Sequence, residues 1–479
     1  MRTVIVIGGG ITGLACAKAI RDRLPRVRVF VFEALEEAGG AIKTVRRANF
    51  VCEASAQGFV NRDPSTVALA QSLGLGAQLV QASTAQRGRF VAYQGVLHRF
   101  PEGPGDLLRT RLLSPSGRAR VCVEPWIKCG AGVGETVGAF FRRRIGREAT
   151  DALIEPIVAG MYGGDVDALG LQEALPRLAD LSRGNKSVLW AALRYGREQR
   201  ALPGKVGQGR LFSFRGGMGV LVAALRRYLG GALMCDAPVL AVRGSGRRWR
   251  VEVGGALPRV MVADAVVAAV PAGAAARFFL PTSRPLSETL RAMESVPLVV
   301  LNLGYVRGPF AGRDDGYGFL VSRHEGGRVL GAAWAHRMFP GLRAPKGGAL
   351  VQAIVGGSRD TAAVGDSAVS LRRDAEATLA RFVHPSGVPQ VCEIHRHPAG
   401  ITQYTVGHGQ RVARARQHVA ALPGLFLAGS SYDGVGVNAC TKAALNIATD
   451  VVDYICSLTP SSRRALSETG GMLLHTGSP

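Results

Sequence analysis

The chain is 479 residues long and 47% hydrophobic, and its 59 Lys and Arg outweigh 35 Asp and Glu to give a formal charge of +24 at pH 7. That length and composition exclude a disordered or fibrous chain and allow two or three buried cores. No apolar run reaches about 18 uninterrupted residues, so no membrane-spanning helix is expected. The eight cysteines (16, 52, 122, 129, 235, 392, 440 and 456) include no C-x-x-C pair, so neither a zinc site nor a disulfide framework is indicated and a reducing compartment is expected.

Taken in chain order, the first element is the apolar strand 3–7, which occupies the place where a signal peptide would lie. It runs into Gly8-Gly9-Gly10-Ile11-Thr12-Gly13 and a helical pattern. Gly8, Gly10 and Gly13 have the G-x-G-x-x-G spacing of a dinucleotide cradle: a tight turn, a close backbone approach to a pyrophosphate, and close helix–strand packing. A second strand, 27–32, ends at Glu33, placed to accept hydrogen bonds from ribose hydroxyls. Gly39, Gly40 and Ala41 supply another close backbone approach before a strand near Ile42.

A mostly helical, arginine-rich stretch follows at about 94–211, supported by helical periodicity over 137–144 and 149–158. Residues 212–218 lead into a helix to about Tyr228, then strands near Val239, 249–253 and 265–270. Val239 is expected to cover an adenine. The run 260–276, with Asp264 and Pro271, reads as a buried strand and turn. Four strands follow, at 297–305, 316–321, 328–335 and 349–355. A last strand, 425–429, enters Ser430-Ser431-Tyr432-Asp433-Gly434-Val435-Gly436-Val437-Asn438. Glycine-bearing strand–helix turns at both ends imply one dinucleotide gripped by both ends of the chain. Residues 457–479, rich in Ser, Thr and Gly, read as a flexible tail.

The positive charge is mostly arginine, since only seven lysines occur, and it concentrates between Arg99 and Arg215, including Arg142-Arg143-Arg144. Such a surface suits anionic headgroups or an anionic substrate. No aromatic interleaving or reading motif accompanies it, so nucleic acid is not expected as a partner.

Several segments carry a closer likeness: Gly400-Ile401-Thr402-Gln403-Tyr404-Thr405-Val406-Gly407-His408, Tyr432 to Cys440, Gly160-Met161-Tyr162-Gly163-Gly164-Asp165, Phe214-Arg215-Gly216-Gly217-Met218, and Gly316 to Val321. Over about residues 1–456 the chain resembles the oxygen-dependent protoporphyrinogen/coproporphyrinogen oxidases of haem synthesis, within the amine-oxidase-like flavoproteins. The resemblance implies an α/β fold with a discontinuous Rossmann-like FAD-binding domain (1–75, 212–296 and 395–456). It also implies a mixed-sheet substrate domain (76–93 and 297–394) and a helical, membrane-associating domain (94–211).

It implies oxidation of protoporphyrinogen IX to protoporphyrin IX. FAD N5 takes a hydride from a meso carbon, oxygen reoxidises the flavin to give peroxide, and three rounds remove six electrons. No catalytic side chain and no metal are then required. Among site residues, the resemblance assigns Arg89 to a substrate propionate, the Gly160 carbonyl to pyrrole N–H groups, and Tyr317, Leu320 and Ile354 to apolar walls. Gly429, Val435, Gly436 and Val437 are assigned to the flavin, and His408 reads as structural. Partners are the porphyrinogen and molecular oxygen, with an anionic membrane surface, the next haem-pathway enzyme and a homodimer mate as further candidates. The expected location is the cytoplasm or the cytoplasmic side of a membrane.

Departures from the family pattern stand out. Glu53-Ala54-Ser55-Ala56-Gln57 replaces Glu-x-Gly-Pro beside the flavin, Glu37 stands where an arginine precedes the double glycine, and Ala439 replaces Asp in Asn-Asp-Cys. Alternatives are oxidation of coproporphyrinogen III, another flavin oxidase or desaturase of the same fold, and a non-catalytic homologue.

Overall fold

The computed structural model describes residues 1–83, 88–101, 103–127, 130, 132, 134–182, 187, 209–244, 248–308, 310 and 315–458. The expected tail from residue 459 onward, Cys129, and most of the arginine-bearing stretch 183–208 lie outside the described residues.

The chain divides into two compact units. The first comprises Met1–Gly40, Val222–Ala292 and Arg414–Pro479. Its centre is a five-stranded, all-parallel sheet in the order Leu233–Met234, Arg28–Phe32, Thr3–Ile7, Ala265–Ala268, Leu425–Leu427. Thr3–Ile7 and Ala265–Ala268 are buried along their whole length, as strands covered on both faces must be. Helix Ile11–Arg23 packs along helix Val437–Ser457, so the two glycine-led elements lie together. A three-stranded antiparallel sheet, Val239–Gly244, Trp249–Val253 and Arg259–Ala263, completes the unit. The run expected as strand and turn at 260–276 divides into two strands and the start of helix Ala272–Phe279.

The second unit comprises Ala41–Leu221 and Met293–Ala413. It is built on a seven-stranded mixed sheet in the order Val391–Thr402, Ser295–Tyr305, Ala349–Gly356, Val329–Trp334, Gly318–Val321, Arg89–Tyr93, Val96–Arg99. Alternation along these strands separates two faces. Phe90, Ala92, Phe319, Val321, Ala332, Trp334, Val351 and Ala353 point into a core closed by Leu371, Ala375 and Leu379 of helix Ala368–Phe382.

Residues 94–211 do not form a separate body. Helix Glu155–Tyr162 packs on strands Gly318–Val321 and Val329–Trp334, and a π-helical turn, Thr150–Ile154, interrupts the helical run that leads into it. Residues 395–402 also belong to this unit, because strand Val391–Thr402 pairs along nearly all of Ser295–Tyr305.

The arginine triple is not a free basic face. Arg142 pairs with Asp167, Arg143 chelates Glu135, and fully buried Arg144 pairs with fully buried Glu124. Among the described residues no helix is long and apolar enough to cross a membrane, and no His, Cys, Asp or Glu cluster suits a metal ion.

Candidate active site

In the first unit the glycines fall where the backbone needs them. Gly8 has φ +108°, a region that L side chains avoid, and a Cβ there would lie 2.6 Å from the Ala269 carbonyl oxygen. A Cβ on Gly13 would collide with the Gly8 carbonyl oxygen, which enforces the close helix–strand packing. Gly10 serves differently, because a Cβ there would meet nothing within 4 Å. The same holds for Gly436.

These two glycines are the N-caps of helices Ile11–Arg23 and Val437–Ser457, neither of which has a side-chain cap or an acid in its first turn. Two helix starts without a side-chain cap, each with a positive dipole end and open space at its N-cap glycine, suit a pyrophosphate. Thr12 of the first helix lies 3.8 Å from a Cβ built on Gly429, which brings the two glycine turns side by side.

Glu33 is buried, and its carboxylate accepts the Gly9 N–H at 2.7 Å and the Leu35 N–H at 3.0 Å. Each carboxylate oxygen can still accept from a ribose hydroxyl. The Ala237 N–H donates to the Glu33 carbonyl, which sets Val239 two residues beyond. Gly39 bridges Gly10 and donates its N–H to the Gly9 carbonyl, and a Cβ on Gly40 would lie 3.2 Å from Gly10 Cα. Asp433 accepts the Gly429 N–H at 3.0 Å and pairs with Arg416, which fixes the turn leading to half-buried Val435 and Val437. Burial raises the Asp433 carboxyl above its ordinary range, against the lowering effects of the Gly429 N–H and Arg416. Glu37, the acid in place of an arginine, is exposed.

In the second unit, the face of the seven-stranded sheet opposite its core gathers most of the expected wall. Register aligns Val91, Leu320, Gly331, Ile354, Val300 and His395 in one row across six strands. The adjacent row holds Arg89, Gly318, Ala333, Gln352, Asn302 and Glu393. Arg89, Leu320 and Ile354 therefore share a face although they lie far apart in the chain. Arg89 is exposed, while Leu320 and Ile354 are half-buried. Ile354 joins Leu298, Leu330, Ala159 and Ile401 in an apolar cluster.

Gly160 completes the set, since a Cβ there would stand 2.5 Å from Leu320 Cδ2. Gly160 sits in the last turn of its helix, where carbonyls lack intrahelical partners. The neighbouring carbonyls of Ala159, Tyr162 and Gly163 are taken by Gly163 N, Gln403 Nε2 and Ser358 N respectively.

Tyr317 is not brought to this face. Its sequence parity is that of Phe319, on the core side, and its hydroxyl donates to the Ser83 carbonyl. Neighbouring Gly316 and Gly318, both at positive φ, fit tightly against the Gly88 and Ala332 carbonyls and set this local course.

The divergent loop at 53–57 is strapped to the same face. Asn302 Nδ2 and Gln352 Nε2 both donate to the Glu53 carbonyl at 2.9 Å, and Gln352 Nε2 also reaches the Ser55 carbonyl at 2.9 Å. His397 Nε2 donates to the Ala54 carbonyl at 2.7 Å, and the Ser55 hydroxyl donates to the carbonyl of exposed Ala41. Ser55 is absent from the positive-φ residues, so the loop needs no glycine here.

The Glu53 carboxylate accepts the Met218 N–H at 2.7 Å and the Thr44 hydroxyl at 2.7 Å, while the Thr44 oxygen accepts the Gly219 N–H. Burial pushes this carboxyl up to about 7, against the lowering effects of Thr44, Met218 and Arg343. The sequence reading missed Asn302, Gln352 and His397. A signal existed for the first two: each is a lone amide inside an otherwise apolar strand.

The segment 400–408 works as a fastener. Gln403 Nε2 holds the Tyr162 carbonyl at 2.9 Å, Tyr404 stacks on His408 with ring centroids 4.4 Å apart, and Gly407 N–H donates to Glu173.

The family described as flavin containing amine oxidoreductase matches residues 11–452. The chain is 29% identical over 472 residues to coproporphyrinogen III oxidase of Bacillus subtilis (strain 168), covering 95% of this chain and 98% of that protein. It is 30% identical over 480 residues to protoporphyrinogen oxidase of Homo sapiens, covering 94% and 98% respectively. A solved structure of a candidate protoporphyrinogen oxidase of Exiguobacterium sp. 255-15 superposes with a TM-score of 0.81 at 24% identity, covering 94% of this chain and 98% of that one. At that identity the likeness concerns the fold.

Proposed function

Because the chain belongs to the flavin containing amine oxidoreductases, and among them to the porphyrinogen oxidases, we propose that it oxidises protoporphyrinogen IX to protoporphyrin IX with molecular oxygen as acceptor. The family makes it an FAD oxidoreductase, and the open glycine turns at Gly10 and Gly436 with buried Glu33 fit that cofactor. Bound there, FAD supplies two-electron oxidation of a carbon and reoxidation by oxygen, repeated until the macrocycle is aromatic.

The chain's own residues bind and orient. Arg89 takes a propionate, for which a guanidinium is geometrically matched. Leu320 and Ile354, with Gly331 between them in the row, form a flat apolar floor for the macrocycle. The Gly160 carbonyl, at the negative end of its helix, accepts from pyrrole N–H groups. The observation that carries this reading is the convergence of Arg89, Gly160, Leu320 and Ile354 on one sheet face.

Arg89 is the only arginine or lysine in these two rows of the face. That favours a substrate with two propionates over one with four. The name of the Bacillus relative supports coproporphyrinogen III as the second reading. A membrane-surface contact forms a separate part of the proposal, supported by Trp126, 75% exposed beside half-exposed Val123. Liposome pelleting of wild type against Trp126→Ser tests it, and equal pelleting removes it.

Anaerobic mixing of the FAD-loaded protein with each porphyrinogen tests the activity. Loss of the oxidised-flavin absorbance in one fast phase is expected. Bleaching by an amine but by neither porphyrinogen would move the protein to another branch of the family.

A further inference from the structure

We propose that Glu155 and Arg359 are positioning residues for the reaction: their ion pair fixes the rotation of the helix that carries Gly160 and so holds Gly160 against the apolar floor at Leu320. The inference deepens the reading of the Gly160 carbonyl as acceptor for pyrrole N–H groups, and rests on it.

The need for such a device begins in the sequence. Residues 147–162 form one continuous helical run, and Pro156 stands inside it. A proline there removes the hydrogen bond to the carbonyl four residues back, and its ring crowds that carbonyl. The run answers with the π-helical turn Thr150–Ile154, in which the Glu155 N–H reaches the Thr150 carbonyl five residues back. An α-helix turns by about 100° per residue, so this local change of pitch uncouples the rotation of helix Glu155–Tyr162 from the run before it. The tolerance is narrow, because a Cβ on Gly160 would already stand 2.5 Å from Leu320 Cδ2. Turning the helix by one residue would bring Ala159 or Met161, both with side chains, towards Leu320.

One turn, Gly357–Arg359, grips the helix at both ends. At the C-terminal end the Ser358 N–H donates to the Gly163 carbonyl at 2.6 Å. At the N-terminal end Arg359 Nη2 donates to Glu155 Oε1 at 2.8 Å. The same Nη2 donates to the Val321 carbonyl at 2.7 Å, one residue beyond Leu320. Arg359 thus ties the Gly160 helix directly to the strand of Leu320, and the Arg323 N–H adds a bond to Glu155 Oε2 at 3.2 Å. The Arg359 and Glu155 side chains are 9% and 3% exposed, and Arg359 Nε and Nη1 have no partner. A buried guanidinium with idle nitrogens is a poor device for stability alone. The geometry it imposes accounts for its place.

The test is anaerobic rapid mixing of FAD-loaded protein with whichever of the two porphyrinogens reduces wild type faster, for wild type, Glu155→Gln, Arg359→Met and the double variant. The limiting rate of flavin reduction, counted per bound flavin, is separated from the apparent Kd. A role confined to stability would lower flavin content or melting temperature and leave that limiting rate unchanged. Arg359→Met is expected to lower the limiting rate roughly tenfold while the apparent Kd moves by less than about twofold, as misorientation without a lost substrate contact requires. Glu155→Gln keeps an acceptor and should fall between. The double variant should be no slower than Arg359→Met, because both residues act through one pair. It also leaves no unpaired buried charge, so it decides alone if a single variant does not fold, and a wild-type limiting rate in it would overturn the proposal. An unchanged limiting rate in Arg359→Met, or single effects that multiply in the double variant, would overturn it as well. Wild type reduced by neither porphyrinogen would instead remove the functional reading on which the proposal stands.

Discussion

The glycine cradle of the first unit and the substrate face of the second are built on opposite plans. The cradle is largely local: Gly8, Gly10, Gly13 and Glu33 lie within one strand–helix–strand passage, and Gly13 is fixed by the Gly8 carbonyl, although Gly8 itself is fixed by the carbonyl of Ala269 on a distant segment. The face is assembled from strands that start at Arg89, Ser295, Gly318, Val329, Ala349 and Val391, and only register brings its residues into rows. A local motif tolerates drift elsewhere in the chain, whereas a register-built face depends on every strand that contributes. The strapped loop belongs to the second plan, since three side chains on three strands hold its carbonyls.

The sharpest way to break the first plan is Gly13→Val. Its Cβ has no room beside the Gly8 carbonyl, so FAD retention should be lost altogether. Flavin absorbance after gel filtration checks this, and a yellow variant would contradict it. The corresponding break in the second plan is Gly160→Val, which must displace Leu320. FAD should stay bound while turnover is mostly lost, because only the floor is disturbed. Loss of both together would mean that the face is not an independent construction.

Arg89→Glu acts on one exposed group of the face and should raise KM for the porphyrinogen roughly ten- to hundredfold, the worth of a charge-assisted contact, with FAD affinity unchanged. An unchanged KM would remove the propionate assignment. The smallest effect expected concerns Glu53. An acid whose pKa rises on folding binds more protons folded than unfolded, so stability falls as pH climbs from its unfolded value near 4.5 to about 7. Gln cannot titrate, so Glu53→Gln should flatten that slope in melting temperature across this window. The same slope in both proteins would assign it to other groups.

How much of this was legible in the sequence follows the same division. The cradle could be read almost residue by residue, because most of its spacing is dictated by contacts close along the chain, such as that of Gly13 with the Gly8 carbonyl. Four of the seven strands of the mixed sheet were found to within a few residues, while Arg89–Tyr93, Val96–Arg99 and Val391–Thr402 were not read as strands, and Leu320 and Ile354 were placed by resemblance. Their sharing of a row with Gly331 and Val300 depends on pairings across some tens of residues that no local pattern records. Tyr317 shows the limit: it stands three residues before Leu320, yet alternation and its hydrogen bond to Ser83 turn it to the other side. The arginine triple shows another. Charge counts suggested a basic surface, but Asp167, Glu135 and Glu124 answer each guanidinium from positions that composition cannot connect.

The central claim is that the protein is a porphyrinogen oxidase, and aerobic turnover of FAD-loaded protein with protoporphyrinogen IX and coproporphyrinogen III side by side tests it most directly. Porphyrin fluorescence and peroxide are followed together. The account predicts porphyrin formation with about three peroxides for each macrocycle, as three two-electron oxidations require, and faster turnover of protoporphyrinogen. Bound yellow flavin with no porphyrin from either substrate would contradict it.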